Sequence, residues 1–368
     1  MLSHLIILAS ILSILPLAAK GQSQIEQQVS QRQQISAPGT PGQVEGHLVR
    51  IKTVTSPSEV IEAFRSPMRC DGDGNLYMLT EGEQVSAVHK LNAKLERVAL
   101  FDPRSDVDLK VDVADYFALS QDGSKLYQLV YPHEINRYVY VFSSDGKFKS
   151  AVKLQPGFPF VPSKLAVFPG GQYLISGLEY DKVKTSAMWP FTGIFAPDGR
   201  LVKELELEDD TTLHDMAATG DARVTSPFNP LGNRAISNGQ VQVGPDGNAY
   251  LMRWTSPAIV YVISADGEVS RRFTIDPGES TLFPFTMQVA RNRIAVLFGD
   301  SQRGDMIMTV ADLEGHEIAN YDLPRDDSEQ MKTGLTVAFA CYMENPTRFL
   351  FIGSNEKMRL QLLVAEPK

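Results

Sequence analysis

The stretch Asp73-Gly74-Asn75-Leu76-Tyr77 predicts a tight turn that leads directly into a β-strand. The Asp-Gly pair supplies the positive φ angle that hairpin turns require, and the residues after it alternate between apolar and polar. The same unit returns at Asp122-Gly123-Ser124-Lys125-Leu126-Tyr127, Gly170-Gly171-Gln172-Tyr173-Leu174 and Asp246-Gly247-Asn248-Ala249-Tyr250. The sequence therefore predicts a repeating β-structure.

A second series of turns lies between the members of the first series. Each of its turns separates two runs of β-forming residues, and the series comprises Asp145-Gly146, Asp198-Gly199, Asp266-Gly267 and Glu314-Gly315. The two series together divide the chain into units of four strands, with a repeat of about fifty residues. A four-stranded unit of this length is typical of a β-propeller blade.

The strands fall into successive groups along the chain. Complete groups are predicted at Met68–Phe101, Tyr116–Leu154, Lys164–Leu207, Gln240–Ile275 and Phe285–Leu323. The last group, from Thr336 onward, holds only three strands before the chain ends. The alternating segment His47–Val54 is expected to supply the missing fourth strand and to close the ring. The predicted fold is all-β: a six-bladed β-propeller with four-stranded antiparallel blades, closed by an N-terminal strand.

The repeated Asp-Gly-Asn-aliphatic-Tyr turn resembles the turns of NHL-repeat and TolB-like proteins, which are six-bladed propellers. The resemblance covers the chain from about residue 46 to the end and implies the fold. NHL units continue with an Asp where this chain has Thr80, and nothing near Glu83 supplies their Asn-x-Arg-Ile element. The resemblance therefore implies the architecture without implying a partner.

The first 45 residues differ in composition from the rest of the chain. Leu5–Ala19 is an apolar run too short to span a bilayer comfortably, and it predicts a signal peptide over residues 1–21 that is cut after Ala19 or Gly21. An uncleaved membrane anchor is the alternative. Residues 22–45 are rich in Gln and Pro and predict a flexible linker. The propeller is expected over residues 46–368, with an insertion at about 208–239.

Ser56-Pro57-Ser58-Glu59 matches a helix capping box with Pro at the first helical position. This pattern predicts a short helix that reaches about Phe64 and ends before Pro67. It is the one helix that we expect ahead of the repeats.

Composition limits the classes of partner. The chain has 368 residues, is 43% hydrophobic and carries a formal net charge of -9. A hydrophobic content of this size is enough for a substantial core. Binding to the phosphate backbone of a nucleic acid requires clustered Lys and Arg, which the sequence does not contain. We expect a secreted or periplasmic protein that binds a protein, peptide or glycan, does not bind nucleic acid and is not stably inserted in a membrane after signal cleavage.

The chain has two cysteines, Cys70 and Cys341, at equivalent places in the first and last repeats. Those repeats meet when a ring closes, so an exported chain would be able to join the two thiols as a disulfide. Two buried free thiols remain the alternative.

Candidate binding residues lie in the connections opposite the Asp-Gly turns. In an up-and-down blade the tight turns share one end of the ring and the other connections share the opposite end, where binding residues commonly lie. The candidates are His133, Glu134, Tyr180, Asp181, Trp189, His214, Asp215, Arg253 and Trp254. The alternative is that these are solvated loop residues with one or two aromatic side chains at the rim.

Signatures of catalysis are weak in this sequence. Asp71-Gly72-Asp73-Gly74-Asn75 spaces oxygen ligands like a calcium loop, but Leu76 stands in place of the turn glycine and Gly82 in place of the bidentate Glu. The sequence has no HExxH, CxxC or GxSxG motif. We therefore expect a non-catalytic binding or scaffolding propeller without a cofactor or metal. A calcium-assisted hydrolase or lactonase of the six-bladed type is the alternative.

Overall fold

The computed structural model describes residues 44–57, 63–81, 86–105, 111–132, 136–180, 188–207, 235–300, 306–323, 338–355, 357 and 359–368. These residues belong to one compact unit that spans 38–368. The predicted signal peptide and the linker up to residue 43 lie outside the described residues, as does most of the predicted insertion. Within the described part, no helix is long and apolar enough to cross a membrane.

Four separate sheets hold four strands each, in sequence order. Sheet 1 contains β2 Ala63–Cys70, β3 Leu76–Glu81, β4 Val88–Leu91 and β5 Arg97–Phe101. Sheet 2 contains β6 Val111–Leu119, β7 Lys125–Pro132, β8 Tyr138–Ser143 and β9 Phe148–Lys153. Sheet 3 contains β10 Phe160–Val167, β11 Tyr173–Tyr180, β12 Met188–Phe195 and β13 Leu201–Glu204. Sheet 4 contains β14 Gln240–Val243, β15 Ala249–Arg253, β16 Ala258–Ile263 and β17 Val269–Ile275.

The remaining strands form one eight-stranded sheet. One half, the fifth group, contains β18 Phe283–Val289, β19 Arg293–Gly299, β20 Met306–Asp312 and β21 Glu317–Asp322. The other half, the last group, contains β22 Ala338–Glu344, β23 Thr347–Ser354 and β24 Leu360–Pro367. The strand β1 Val44–Thr55 lies between the halves, in the order β18-β19-β20-β21-β1-β24-β23-β22. A short 3-10 helix at Pro103–Ser105 and a helical turn at 235–237 are the helical elements of the described residues.

The pairing of β1 confirms the predicted contact between the two ends of the chain. From Leu48 to Thr55 the strand runs antiparallel to β24. Its first residues, including Val44 and Gly46, pair in parallel with β21. Val44, which the sequence analysis assigned to the linker, is therefore part of the strand.

The sheets are arranged as a propeller-like ring around their first strands. Each of β2, β6, β10, β14, β18 and β22 contacts the next, and β22 contacts β2. Consecutive sheets share apolar core clusters, and one cluster joins the first sheet to the last group through Met68, Leu76, Cys341 and Ile352. In this packing each sheet is covered by the neighbouring sheets, because the apolar faces of adjacent sheets pack against each other.

The glycines of both turn series have the positive φ angle that the sequence analysis predicted. They include Gly74 at 77° and Gly146 at 87°. At Gly146 an added Cβ would also lie 2.2 Å from the carbonyl oxygen of Leu100 in sheet 1. The second series of turns therefore packs against the preceding sheet, which adds a steric reason for glycine to the conformational one.

The predicted helix before the first repeat is wrong at its C-terminal end. Phe64 lies in β2, paired with Thr80, and Pro67 lies within the same strand. The strand tolerates the proline because its register shifts between Arg65 and Met68, where a bulge removes the need for a ladder hydrogen bond. Residues 58–62 of the predicted helix are outside the described part of the chain.

Candidate functional site

The centre of the ring holds a network of buried polar side chains from different sheets. The Arg69 guanidinium on β2 donates to the main-chain oxygen of Val241 on β14 at 2.9 Å and to the Tyr116 hydroxyl on β6 at 3.2 Å. It also donates to the oxygen of its neighbour Met68 at 2.9 Å. Gln288 on β18 donates to that same oxygen at 3.1 Å. The network thus joins first strands that are not adjacent in the ring, so it lies across the central channel.

The burial of this network changes the acid-base behaviour of its members. Burial lowers the pKa of Arg69, while its contact with Tyr116 acts in the opposite direction. Burial raises the pKa of Tyr116, opposed by the nearby Arg69 charge. Arg69 keeps its charge in any case, because a guanidinium starts from a very high pKa. The centre of the channel is therefore positively charged.

Lys164 on β10 adds a second positive charge to the channel. The side chain is only 9% exposed, and its ammonium lies 5.0 Å from the centroid of the Tyr116 ring. Burial lowers its pKa to about 8; Asp115 acts against this shift, and Arg69 and Arg253 act with it. The ammonium thus lies within electrostatic reach of two guanidiniums and one carboxylate.

A cavity of about 590 Å³ opens at the Asp-Gly end of the channel. Arg69 lines it together with the small side chains of Ala118 and Ala166, and Asp71 and Asp122 also line it. The sequence analysis assigned function to the opposite end of the ring. This described cavity lies instead at the end formed by the tight turns.

The Asp-Gly turns hold their own carboxylates in place. Asp71 accepts hydrogen bonds from the main chain and side chain of Asn75 and from the Tyr77 hydroxyl, and it lies 3.3 Å from the Lys90 ammonium. Asp246 accepts a hydrogen bond from the Tyr250 hydroxyl at 3.0 Å in the same way. In these two repeats, the tyrosine hydroxyl therefore donates to a carboxylate near the turn. At the proposed calcium loop, both carboxylate oxygens of Asp71 are used within the turn itself.

At the opposite end, two of the predicted binding residues have described side chains. Arg253, the last residue of β15, is fully buried, and its guanidinium donates to Ser176 at 2.9 Å and to Thr192 at 3.1 Å in sheet 3. It was expected in a surface connection, but it lies between sheets 3 and 4. Trp254 stacks on Phe283 of β18 with ring centroids 4.3 Å apart. This tryptophan, which follows β15 of sheet 4, therefore packs against the fifth group.

The other predicted binding residues are placed only in part. Tyr180 is the last residue of β11 and pairs with Met188, and Trp189 in β12 pairs with Glu179. The remaining predictions lie outside the described residues; they concern His133, Glu134, Asp181, His214 and Asp215. Among the residues that are described, no group of three His, Cys, Asp or Glu side chains is placed to hold a metal ion.

The sequence analysis did not select Arg69, Tyr116 or Lys164 for the site. Lys164 carried a signal, because the apolar run Leu165-Ala166-Val167 follows it, whereas Arg69 and Tyr116 lie in strands that contain other polar residues. A buried Lys or Arg in such a strand must find a partner inside the fold. The signal was visible in the sequence, but the partners come from distant repeats.

Cys70 and Cys341 lie where β2 and β22 meet. Their Cα atoms are 5.9 Å apart and their sulfur atoms are in contact. A disulfide commonly spans this Cα separation.

Comparison with models of known protein families gives no match, and comparison with curated proteins gives none either. Among solved structures, a protein of Bacteroides fragilis described as exported is similar at 10% identity and a TM-score of 0.52, covering 91% of this chain and 98% of that one. A protein of Agrobacterium tumefaciens named as TolB is similar at 14% identity and a TM-score of 0.44, covering 77% and 90%. The Dos1 propeller is similar at 13% identity and a TM-score of 0.40, covering 88% and 82%. The ring of four-stranded sheets in this chain is itself propeller-like.

Proposed function

We propose that this chain is an exported, non-catalytic β-propeller that binds a protein, peptide or glycan at the end of the ring opposite the Asp-Gly turns. In this proposal the eight-stranded sheet is two blades that share β1, which makes six blades in all. Support for the blade count comes from the pairing of β1 with both β21 and β24. A strand shared in this way uses the edges that two neighbouring sheets would otherwise expose.

The observation that carries the binding role is the difference between the two ends of the ring. At the turn end, the short connections use their own carboxylates to complete the turns, as Asp71 and Asp246 do. At the other end, which we call the open end, β13 and β21 end and β14 and β22 begin, and the segments between these strands are the longest between consecutive described strands. Variable connections on a rigid scaffold are where binding surfaces form.

Trp254 provides the point at which the binding role can be tested. It is partly exposed at the open end and stacks on Phe283. Amphipathic aromatic side chains are frequent anchors for proteins and glycans. We expect Trp254→Ala, alone or with Trp189→Ala, to reduce binding on glycan and peptide arrays, and Trp254→Phe to retain part of it.

The matched control is a substitution at the turn end. Lys147 pairs with Asp145 in an exposed turn, so Lys147→Ala should leave binding unchanged. If binding is unchanged by the tryptophan substitutions but is lost with Lys147→Ala, the binding surface lies at the Asp-Gly end of the ring. That result would overturn the proposal.

The proposed binding role involves no cofactor. The alternative is a calcium-assisted hydrolase or lactonase, and a direct measurement distinguishes the two. The purified protein would be analysed for bound calcium and assayed for lactonase and esterase turnover before and after chelation. A stoichiometric calcium ion whose removal abolishes turnover would favour the hydrolase. Absence of both would agree with the binding role.

Export is tested by the N-terminus of the mature protein. We propose secretion or transfer to the periplasm, with cleavage after Ala19 or Gly21. The intact mass of protein recovered from the periplasm or medium of an expressing bacterium should correspond to one of these start sites. Retention of the full N-terminus in the membrane fraction would support an uncleaved anchor instead.

A further inference from the structure

Lys164 is a buried cation whose hydrogen-bonding capacity is not used by the described residues. Its ammonium has three donors, and it faces the Tyr116 ring at 5.0 Å. Among the residues that the structure describes, no hydrogen bond or ion pair is made by this ammonium. A buried charge without a hydrogen-bonding or ionic partner lowers the stability of the folded protein, and a bound anion would remove this cost.

The cations around Lys164 already have partners of their own. The Arg69 guanidinium is bonded to Met68, Tyr116 and Val241, and the Arg253 guanidinium is bonded to Ser176 and Thr192, so both are fixed in position. They contribute positive potential at Lys164, and Asp115 contributes the opposing negative charge. Among the described residues whose charges act on the Lys164 ammonium, two are guanidiniums and one is a carboxylate.

We propose that Lys164 binds the carboxylate of a small anionic ligand inside the channel, with Arg69 and Arg253 supplying the surrounding positive potential. The site lies in the channel rather than on the connections of the open end, so the inference does not rest on the proposed function.

The arrangement favours a carboxylate over a phosphate. The direct donors that remain are those of one ammonium, since the guanidinium donors described above are committed to protein oxygens. One carboxylate group, with a single negative charge and two acceptor oxygens, matches a single ammonium, whereas a phosphate dianion is usually held by several donors or by a bidentate Arg. The nearby cavity of about 590 Å³ is lined by Arg69, whose guanidinium acts on the Lys164 ammonium.

Carboxylates from two sources fit this chemistry, namely a free organic acid and the C-terminus of a peptide. Calorimetry at pH 7 with glutarate represents the first source. The tripeptide Gly-Gly-Gly represents the second, with its C-terminal amide as the comparison that lacks the carboxylate. Inorganic phosphate is included as the competing anion. We expect glutarate, the tripeptide acid or both to bind, and the amide and phosphate to bind at least about tenfold more weakly.

Two lysine variants test the role of the ammonium. Lys164→Met keeps the length of the side chain and removes the charge, whereas Lys149→Met makes the same change at an exposed position on the outer strand β9. We expect Lys164→Met to weaken carboxylate binding by about tenfold or more and Lys149→Met to leave it unchanged. Equal binding by the parent and Lys164→Met would overturn the proposal, as would a parent that binds none of the carboxylates or prefers phosphate.

A second measurement uses the parent protein alone, in case Lys164→Met fails to fold. The protein is acetylated with an amine-reactive reagent at pH 8 and each lysine is followed by peptide mass spectrometry. Bound glutarate, or tripeptide whose own amine has been acetylated beforehand, should slow acetylation of Lys164 and leave that of Lys149 unchanged. Acetylation of Lys164 at the same rate with and without saturating carboxylate would contradict the proposal.

Discussion

The guanidinium of Arg69 donates a hydrogen bond of 2.9 Å to the main-chain oxygen of Val241, which lies 172 positions away in the sequence. The two residues belong to the first and fourth sheets, whose first strands are separated by β6 and β10 in the cycle of contacts around the ring. The bond therefore crosses the channel. Tyr116 receives a second bond from the same guanidinium, so one side chain connects three sheets.

Replacing Arg69 should destabilise the whole ring. Arg69→Met removes hydrogen bonds to Met68, Val241 and Tyr116 and leaves their buried oxygens with fewer partners, which we expect to lower the free energy of unfolding by about 2–4 kcal/mol. Urea unfolding followed by fluorescence measures the change. Arg97→Met, at an exposed position of β5, is the control and should change stability by less than about 0.5 kcal/mol. Equal stability of the two variants would show that the hydrogen bonds across the channel contribute little.

The shared strand β1 should contribute to the stability of both groups that it joins. Leu48 is 1% exposed and packs in the cluster that contains Leu297 and Phe349, so Leu48→Ala should cost about 2–5 kcal/mol. Ile51 in the same strand is 48% exposed, and Ile51→Ala should have little effect. Thermal unfolding of both variants, and of a chain lacking residues 47–54, provides the comparison. A truncated chain that unfolds at the temperature of the parent would mean that β1 is a dispensable appendage.

We propose that Cys70 and Cys341 form a disulfide that joins the first sheet to the last group. The cross-link would close a loop with a sequence separation of 271, and its loss should cost roughly 2–5 kcal/mol of stability. Thermal unfolding with and without reductant measures this effect, and alkylation followed by intact mass reports the thiol state. The double variant Cys70→Ala with Cys341→Ala should be insensitive to reductant. Two alkylatable thiols in the untreated exported protein would contradict the proposed bond.

Lys164 should make stability depend on pH above neutrality. Its pKa in the folded protein is about 8, below the ordinary 10.5, so between these values the unfolded chain binds more protons and stability rises with pH. Below pH 8 the full penalty of the buried charge is present, at roughly 3 kcal/mol. Relative to Lys164→Met, the parent should therefore be less stable at pH 7 and should approach the variant near pH 10.5. Urea midpoints for both proteins across this range measure the difference, and parallel curves would show that Lys164 keeps its ordinary pKa.

The sequence also predicted several features of the strand groups correctly. The predicted fourth group, Gln240–Ile275, coincides with β14 to β17, and the predicted first group, Met68–Phe101, contains β3 to β5 but begins inside β2. These successes rest on alternation and turn chemistry, which are local properties. The predicted helix was wrong at its C-terminal end, because Phe64 pairs with Thr80 in the sheet and this pairing is not specified by the local capping pattern.

The sequence by itself determined the turns, the strand groups and the pairing of β1 with the last group, because positive φ at Gly74 and alternation along His47–Val54 depend on neighbouring residues. Only the tertiary structure decided what fills the channel. Arg69, Tyr116 and Lys164 come from three different repeats, and nothing in their local sequences specifies which of them meet. Burial then sets their chemistry, since desolvation acts on Lys164 only after the sheets have closed around it.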